Sequence, residues 1–297
     1  MSQTSSNAAQ PRYRPQMSDA AVPLVSEVTV FDEAGRQKQI FIPGERPLTV
    51  YVDKQELVTL MTLGGAPEAL VLGYLKNQRF VQSLDEVISI QVDWEVGAAS
   101  VKTRDGIANL KARQEKRTVT TGCGQGTIFG DILADLDSIG LSQTARLDQD
   151  TLVQIVDRVR QHKSIYKQAG SVHGCAVFRG TEMLMFVEDV GRHNAVDAIA
   201  GLMWLQDLTG DDLVFYTTGR LTSEMVIKGA QMGIPFLLSR SGVTHMGLEM
   251  ANKVDLTLFG RCSGEHFLLY SGAHRFLARH HVNHGAVQAE LNHGSCL

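Results

Sequence analysis

The sequence predicts a two-part α/β protein, with a smaller N-terminal α+β domain and a larger α/β domain behind it. Three observations carry that prediction. The 297 residues are 43% hydrophobic and 20% charged, an ordinary globular composition long enough for one large core or two modest ones. Residues 24–103 alternate apolar and polar positions in short runs around one helical segment. From residue 213 onward strand-like and helix-like segments alternate with short connections, the pattern of a mainly parallel sheet covered on both faces.

The elements follow in order. Residues 1–22 are rich in Ser, Asn, Gln and Pro and read as a disordered lead; with no apolar h-region they are neither a secretory signal nor an anchor. Residues 23–115 form the small α+β domain. Its alternating positions Val28/Val30, Ile40/Ile42 and Val50/Val52, with turn signals at Gly35 and Pro43-Gly44, read as antiparallel strands. Pro67 and Glu68 suit the first turn of a helix whose Leu70, Val71, Tyr74 and Leu75 are apolar. Strands over 86–92 and 98–103 complete the unit. Residues 116–278 form the larger domain: a helix around Leu152, Ile155, Val156 and Val159, strands over 174–178 and 183–187, and a helix over 193–208. Strand 213–217, helix 223–232, strand 235–239, helix 244–252 and strands 254–259 and 266–270 follow. Residues 279–297 form a His-containing tail whose His280, His281, His284 and His293 match no defined metal spacing.

Several function classes are excluded at this level. With 28 Lys+Arg against 32 Asp+Glu the formal net charge is −4, which argues against a dedicated nucleic-acid binder. No run approaches the roughly 20 apolar residues of a membrane helix. The four cysteines, Cys123, Cys175, Cys262 and Cys296, show no C-x-x-C pair, so a reducing cytoplasm with free thiols is expected.

Two constellations carry possible chemistry. Cys123 lies between Gly122 and Gly124 and shortly after the cations Lys111, Arg113, Lys116 and Arg117. It reads either as an exposed thiol whose pKa the cations lower, or as a small residue in a tight turn. Cys175 and Cys262, at strand edges, read as small buried hydrophobes. The second constellation sits at strand ends: the loops bearing Arg192, Arg220, Arg240 and Arg261. In an open sheet the carboxyl-end loops share one edge, where ligands bind, and three of these loops lead into helices. Four arginines there read either as a site for a ligand with several phosphates or as solvated surface cations. His193 could serve as acid or base or cap its helix, and His173 precedes a strand facing the same edge.

Several of these stretches resemble the FdhD family, the accessory sulfurtransferases of molybdenum-dependent formate dehydrogenases. The resemblance rests on Val-Glu-Asp-Val-Gly-Arg-His-Asn-Ala-Val-Asp-Ala-Ile at 187–199 and on residues 218–244, from Thr-Gly-Arg-Leu-Thr-Ser-Glu-Met-Val through Ser-Arg-Ser-Gly-Val-Thr. Pro-Glu-x-Leu-x-Leu-Gly-Tyr within 62–74, Ser-Val-His-Gly at 171–174 and residues 256–271 extend it over about 23–275. It implies a cytidine-deaminase-like three-layer fold for the larger domain and a homodimer. It also implies a cytoplasmic carrier that accepts sulfane sulfur from a cysteine desulfurase as a persulfide and passes it to the bis-molybdopterin guanine dinucleotide cofactor (Mo-bis-MGD), a bound substrate that apo formate dehydrogenase needs in sulfurated form. No permanently bound cofactor or metal is expected.

By the same resemblance Cys123 is the sulfur-carrying residue. Arg261, Cys262, Ser263, Gly264, Glu265 and His266 form the cofactor contact region, to which the strand-end loops add Arg192, His193, Arg220 and Arg240. One departure stands out. Where the family commonly has Cys-x-x-Cys this chain reads Cys123-Gly124-Gln125-Gly126, so the second thiol is missing. Persulfide carriage needs only one attacking thiolate and survives the loss; a relay using two sulfurs does not. The competing readings are a cofactor-binding chaperone with a structural Cys123, and a zinc deaminase. The second lacks both H-x-E and P-C-x-x-C. The client dehydrogenase, and molybdenum against tungsten, are not encoded in any motif.

Overall fold

The computed structural model of the chain describes residues 13–107, 110, 136 and 139–279. A five-stranded sheet contains β1 (Gln16–Met17), β4 (Arg46–Val52), β5 (Gln55–Thr62), β6 (Val87–Asp93) and β7 (Ala98–Thr103), in the order β1-β6-β7-β4-β5. Between β1 and β4 the chain makes a separate antiparallel ribbon of β2 (Val25–Phe31) and β3 (Gln37–Pro43). The period-2 pattern read from the sequence sends Leu48, Val50 and Val52 of β4 into the core, each at most 1% exposed.

Residues 13–22 depart from the expected disordered lead. Gln16 and Met17 pair in parallel with Ser89 and Ile90. Ser18 Oγ and the Ala20 N–H donate to Glu68 Oε1 at 2.6 and 2.9 Å, and Trp94 Nε1–H donates to the Ala20 carbonyl at 2.6 Å. Composition arguments weigh only apolar burial, whereas this stretch is ordered by hydrogen bonds to a half-buried sheet edge. Residues 1–12 lie outside the described residues.

The larger sheet has six strands: β9 (His173–Arg179), β10 (Glu182–Asp189), β11 (Leu213–Thr217), β12 (Phe236–Ser239), β13 (Thr257–Ser263) and β14 (His266–Ser271), in the order β10-β9-β11-β12-β13-β14. Only β11, β12 and β13 pair in parallel; the other neighbours are antiparallel. The expected mainly parallel sheet is therefore a mixed one. The β9–β10 and β13–β14 connections are two-residue hairpins, too short for the crossover that a parallel pair requires. β13 begins at Thr257 rather than 254, because Asp255 takes a left-handed turn (φ 51°) after the preceding helix. β10, β11, β12 and β13 nevertheless run the same way, so their carboxyl ends do share one edge, as expected.

Helices cover both faces of this sheet. α2 (Gln149–Gln161) packs Leu152, Ile155 and Val156 against Ala176, Phe178, Tyr216 and Phe259. It follows the short β8 (Leu147–Asp148), which pairs with the terminal β15 (Phe276–Leu277). α4 (Arg192–Leu205), α5 (Ser223–Gln231) and α6 (His245–Lys253) cover the other face around Val177, Phe215, Leu237 and Leu258.

α1 (Pro67–Asn77) and α4 are apolar nearly all round, which is the signature of helices buried on every side. They lie against each other between the two sheets. The contact is close because of two glycines: a Cβ on Gly73 would stand 1.7 Å from the Asp197 carbonyl oxygen, and one on Gly201 would stand 2.0 Å from that of Ala69. A buried polar cluster crosses the same joint. Asn77 Nδ2–H donates to Asp197 Oδ1 at 2.6 Å, and Lys228 Nζ reaches Asp197 Oδ2 at 2.9 Å and Glu224 Oε1 at 3.2 Å.

Of the expected His-containing tail only Arg279 is described, paired with Asp150; residues 280–297 lie outside the described residues.

Candidate functional site

The shared carboxyl edge of the larger sheet opens into a cleft of about 220 Å3. Its floor is Tyr216 and the buried Cys262, one wall is Val156, Val159 and Phe186, and the rim carries Arg240, Ser263 and Gly264. The opposite wall is α3 (Ile165–Ala169), which presents Tyr166 and Lys167. Arg240 NH2 donates to Tyr166 Oη at 3.1 Å, and its guanidinium lies 5.2 Å from the ring centroid. Glu188, at the end of β10, accepts the Ile165 and Tyr166 backbone N–H groups at 2.6 and 3.0 Å. The cleft thus combines aromatic surface, cations and hydroxyls at one sheet edge, a set suited to a base bearing an anionic group.

Beside it lies a second group of edge residues. His173 Nδ1 is 3.4 Å from Thr218 Oγ1, which itself accepts the Gly174 N–H at 3.0 Å. Burial, followed by the charges of Arg192 and Arg220, pulls the His173 pKa below the usual imidazole value, favouring the neutral ring.

The structure sorts the sequence-expected residues into three sets. Arg240, Cys262, Ser263 and Gly264 meet in the cleft. Arg261, Glu265 and His266 are exposed on the β13–β14 hairpin outside the lining; Arg261 holds φ 54° while its N–H donates to the Ser241 carbonyl at 2.8 Å. Arg220 is exposed near His173. Arg192, only 7% exposed, lays its stem along Gly219, where a Cβ would stand 2.9 Å from Arg192 Cδ.

The expectation that His193 faces the ligand is corrected. It is 2% exposed and sits 3.3 Å from Glu224 Oε2 at the α4–α5 contact, with burial pulling its pKa down to about 3. The reason is helical geometry. At the first turn of α4 successive residues point about 100° apart, so Arg192 and His193 cannot face the same edge. Cys123 lies outside the described residues.

The conspicuous Glu-Asp-Val-Gly-Arg-His-Asn run serves the joint between the sheets as much as the edge. Asp189 accepts Thr62 Oγ1–H at 2.5 Å, the Leu63 N–H at 3.1 Å, the Gly191 N–H at 3.0 Å and Asn194 Nδ2–H at 2.9 Å. Asn194 Nδ2–H also donates to the Met61 carbonyl at 2.6 Å. Burial raises the Asp189 pKa against these bonds, which hold the carboxylate. Tyr166, Lys167 and Phe186 were missed from sequence. Ser164, an N-cap residue just after the α2 periodicity ends, is the signal that a short helix follows.

Cys175 and Cys262 are the buried residues that the sequence suggests. Burial pushes each thiol up to about 12. No helix among the described residues is long and apolar enough to cross a membrane.

Comparison with known proteins fits this architecture. Residues 43–277 match the FdhD/NarQ family. The sulfur carrier protein FdhD of Listeria innocua serovar 6a is 30% identical over 248 residues, covering 82% of this chain and 95% of the relative. The protein of the same name from Staphylococcus aureus strain JH9 is 28% identical over 236 residues, 78% of this chain and 88% of that one. A crystallised candidate formate dehydrogenase accessory protein from Desulfotalea psychrophila superposes with a TM-score of 0.68 at 24% identity, covering 86% of this chain and all of that one, a likeness of fold. With its family motifs, its sheet and most of its length accounted for, the chain belongs to the FdhD/NarQ family.

Proposed function

We propose that this chain is a sulfur carrier for maturation of a formate dehydrogenase, with Cys123 as the carrying residue. The observation that supports this most directly is the state of the two described cysteines. Both are buried, at 0% and 1% exposed, and burial pushes each thiol up to about 12, so each stays protonated at neutral pH. Neither Cys175 nor Cys262 is therefore a useful nucleophile, and the chemistry falls to a thiol outside that core. Cys123 follows four cations in the sequence and suits it.

The Cys123 thiolate attacks the terminal sulfur of the persulfide on a cysteine desulfurase. The donor S–S bond breaks, the donor leaves as a thiolate, and a persulfide remains on Cys123. On delivery the Cys123 S–S bond breaks, Cys123 leaves as a thiolate with the bonding pair, and the sulfane sulfur would become a sulfido ligand by taking two electrons from the reduced metal centre of the substrate Mo-bis-MGD. The cofactor is substrate here, and the cleft's donor set fits part of it: Arg240 and Lys167 suit its phosphates, and Tyr216 suits a guanine base. At about 220 Å3 the cleft takes one nucleotide end and not the whole bis-dinucleotide. Arg220, Arg261 and His266 are exposed along the same edge and would meet what extends beyond it.

The missing second loop cysteine favours the other reading, a chaperone that binds and presents the cofactor without carrying sulfur. Maturation of apo formate dehydrogenase in the presence of desulfurase and cysteine separates the two. The carrier predicts that Cys123→Ala abolishes activation while leaving guanine-nucleotide binding intact. Full activation by Cys123→Ala would establish the chaperone and refute the carrier.

A further inference from the structure

The cation expected to meet the cofactor's phosphates, Arg240, is exposed at the end of β12, where a long side chain has many rotamers. Its position is set by a neighbour. We propose that Glu188 and Tyr166 are positioning residues that fix the Arg240 guanidinium for recognition of a diphosphate, an inference that rests on the cofactor-binding reading above.

The geometry runs in one direction through the fold. Glu188, next to last in β10, lies opposite Gly174 of β9. A Cβ at Gly174 would stand 3.1 Å from the Phe186 ring and 3.7 Å from Glu188 Cγ, so the bare backbone there gives both side chains room to cross β9. Both Glu188 carboxylate oxygens are then used, one on the Ile165 N–H at 2.6 Å and one on the Tyr166 N–H at 3.0 Å.

These bonds pin the start of α3, a five-residue helix with no buried residue. Such a helix has little stability of its own and takes its place from what holds its ends. The helix also lies against β3, and its remaining ties are local: Ser164 Oγ accepts the Lys167 N–H at 3.3 Å, and the chain leaves through Gly170 (φ 66°) and Ser171 (φ 54°). Pinned by Glu188, α3 presents Tyr166 to Arg240 by ring face and hydroxyl together. The hydroxyl occupies one terminal nitrogen, NH2, and the remaining N–H donors stay open to an oxyanion. Two contacts on one guanidinium restrict both its distance and its plane, which is what bidentate phosphate recognition requires.

The test is calorimetric titration of the full chain with GDP and with guanosine, read as the ratio of their affinities. That ratio isolates the phosphate contribution from loss of fold or of base stacking. Wild type is expected to prefer GDP. Tyr166→Ala and Glu188→Ala should each lower the ratio about tenfold with guanosine affinity changed less than about twofold, which is about 1.4 kcal/mol confined to the phosphates. Tyr166→Phe, which keeps the ring, should fall between. In an Arg240→Ala background Tyr166→Ala should change the ratio no further, because the two act on one contact. A ratio unchanged by Tyr166→Ala, or full additivity with Arg240→Ala, would overturn the positioning role while leaving cofactor binding intact. No preference for GDP in the wild type would overturn the cofactor-binding reading and the positioning role with it.

Discussion

Alanine at Gly73 is the sharpest structural test. Its Cβ would stand 1.7 Å from the Asp197 carbonyl oxygen, 2.7 Å from its carbon and 2.7 Å from the Gly201 nitrogen, all of them backbone atoms in the middle of α4. No side chain can swing away to make room. Reaching an ordinary contact requires α1 and α4 to separate by about 1.5 Å, and overpacking of that kind costs about 1–3 kcal/mol. The same displacement stretches the buried 2.6 Å bond from Asn77 to the Asp197 carboxylate, worth a further 1.5–3 kcal/mol or so. The expected loss is about 3–5 kcal/mol, or roughly 10 °C in Tm for a chain of this size. Urea unfolding followed by circular dichroism measures it. Gly140→Ala, at a position with nothing within 4 Å and no positive φ, is the matched control and should change stability by less than about 0.5 kcal/mol. A Gly73→Ala protein as stable as that control would refute the close helix joint.

Three further outcomes follow from the buried groups. Lys228, 3% exposed between Asp197 and Glu224, is the cation that both carboxylates share; Lys228→Met should cost about 3–5 kcal/mol at pH 8, and less at pH 5 where a carboxylate can take up a proton. Equal losses at both pH values would contradict that assignment. His193 has a folded pKa of about 3, so the unfolded state binds the proton first: its contribution is present above pH 6.5 and is lost as pH falls toward 3, at up to about 1.4 kcal/mol per pH unit. His193→Gln should flatten the acid limb of the stability curve, and an unchanged slope would show that His193 is not buried neutral. Cys175 and Cys262 should resist iodoacetamide at pH 7.5 in the native protein and react fully in urea, as peptide mass spectrometry would show; rapid native alkylation of either would remove the ground for setting them aside in favour of Cys123.

Much of this architecture was legible because it rests on local rules. Period-2 alternation marked β4, short continuous apolar runs marked β9 and β11, and Pro67 with Glu68 marked the start of α1 within the residue range expected. The shared edge followed from strand direction, and Arg240, Cys262, Ser263 and Gly264 did converge there. What escaped depends on partners far away in sequence. The lead at 13–22 is held by Glu68 and Trp94, and no window around it contains them. His193 looked like an edge residue because loops before helices usually are, yet its side chain points toward Glu224, 31 residues on. Asp189 and Asn194 lie in the run that carries the family resemblance and serve structure, since polar side chains in a motif do not disclose whether they face a ligand or a neighbouring strand. Tyr166 escaped because α3 is too short for any periodicity and only its N-cap residue, Ser164, marks it.

The central claim is that sulfur travels on Cys123, and intact-mass spectrometry after incubation with a cysteine desulfurase and cysteine tests it most directly. The account predicts a gain of about 32 Da that reductant removes, retained in Cys175→Ser and Cys262→Ser and lost in Cys123→Ala. A gain that persists in Cys123→Ala, or none in the wild type under conditions that load a two-cysteine relative, would contradict it.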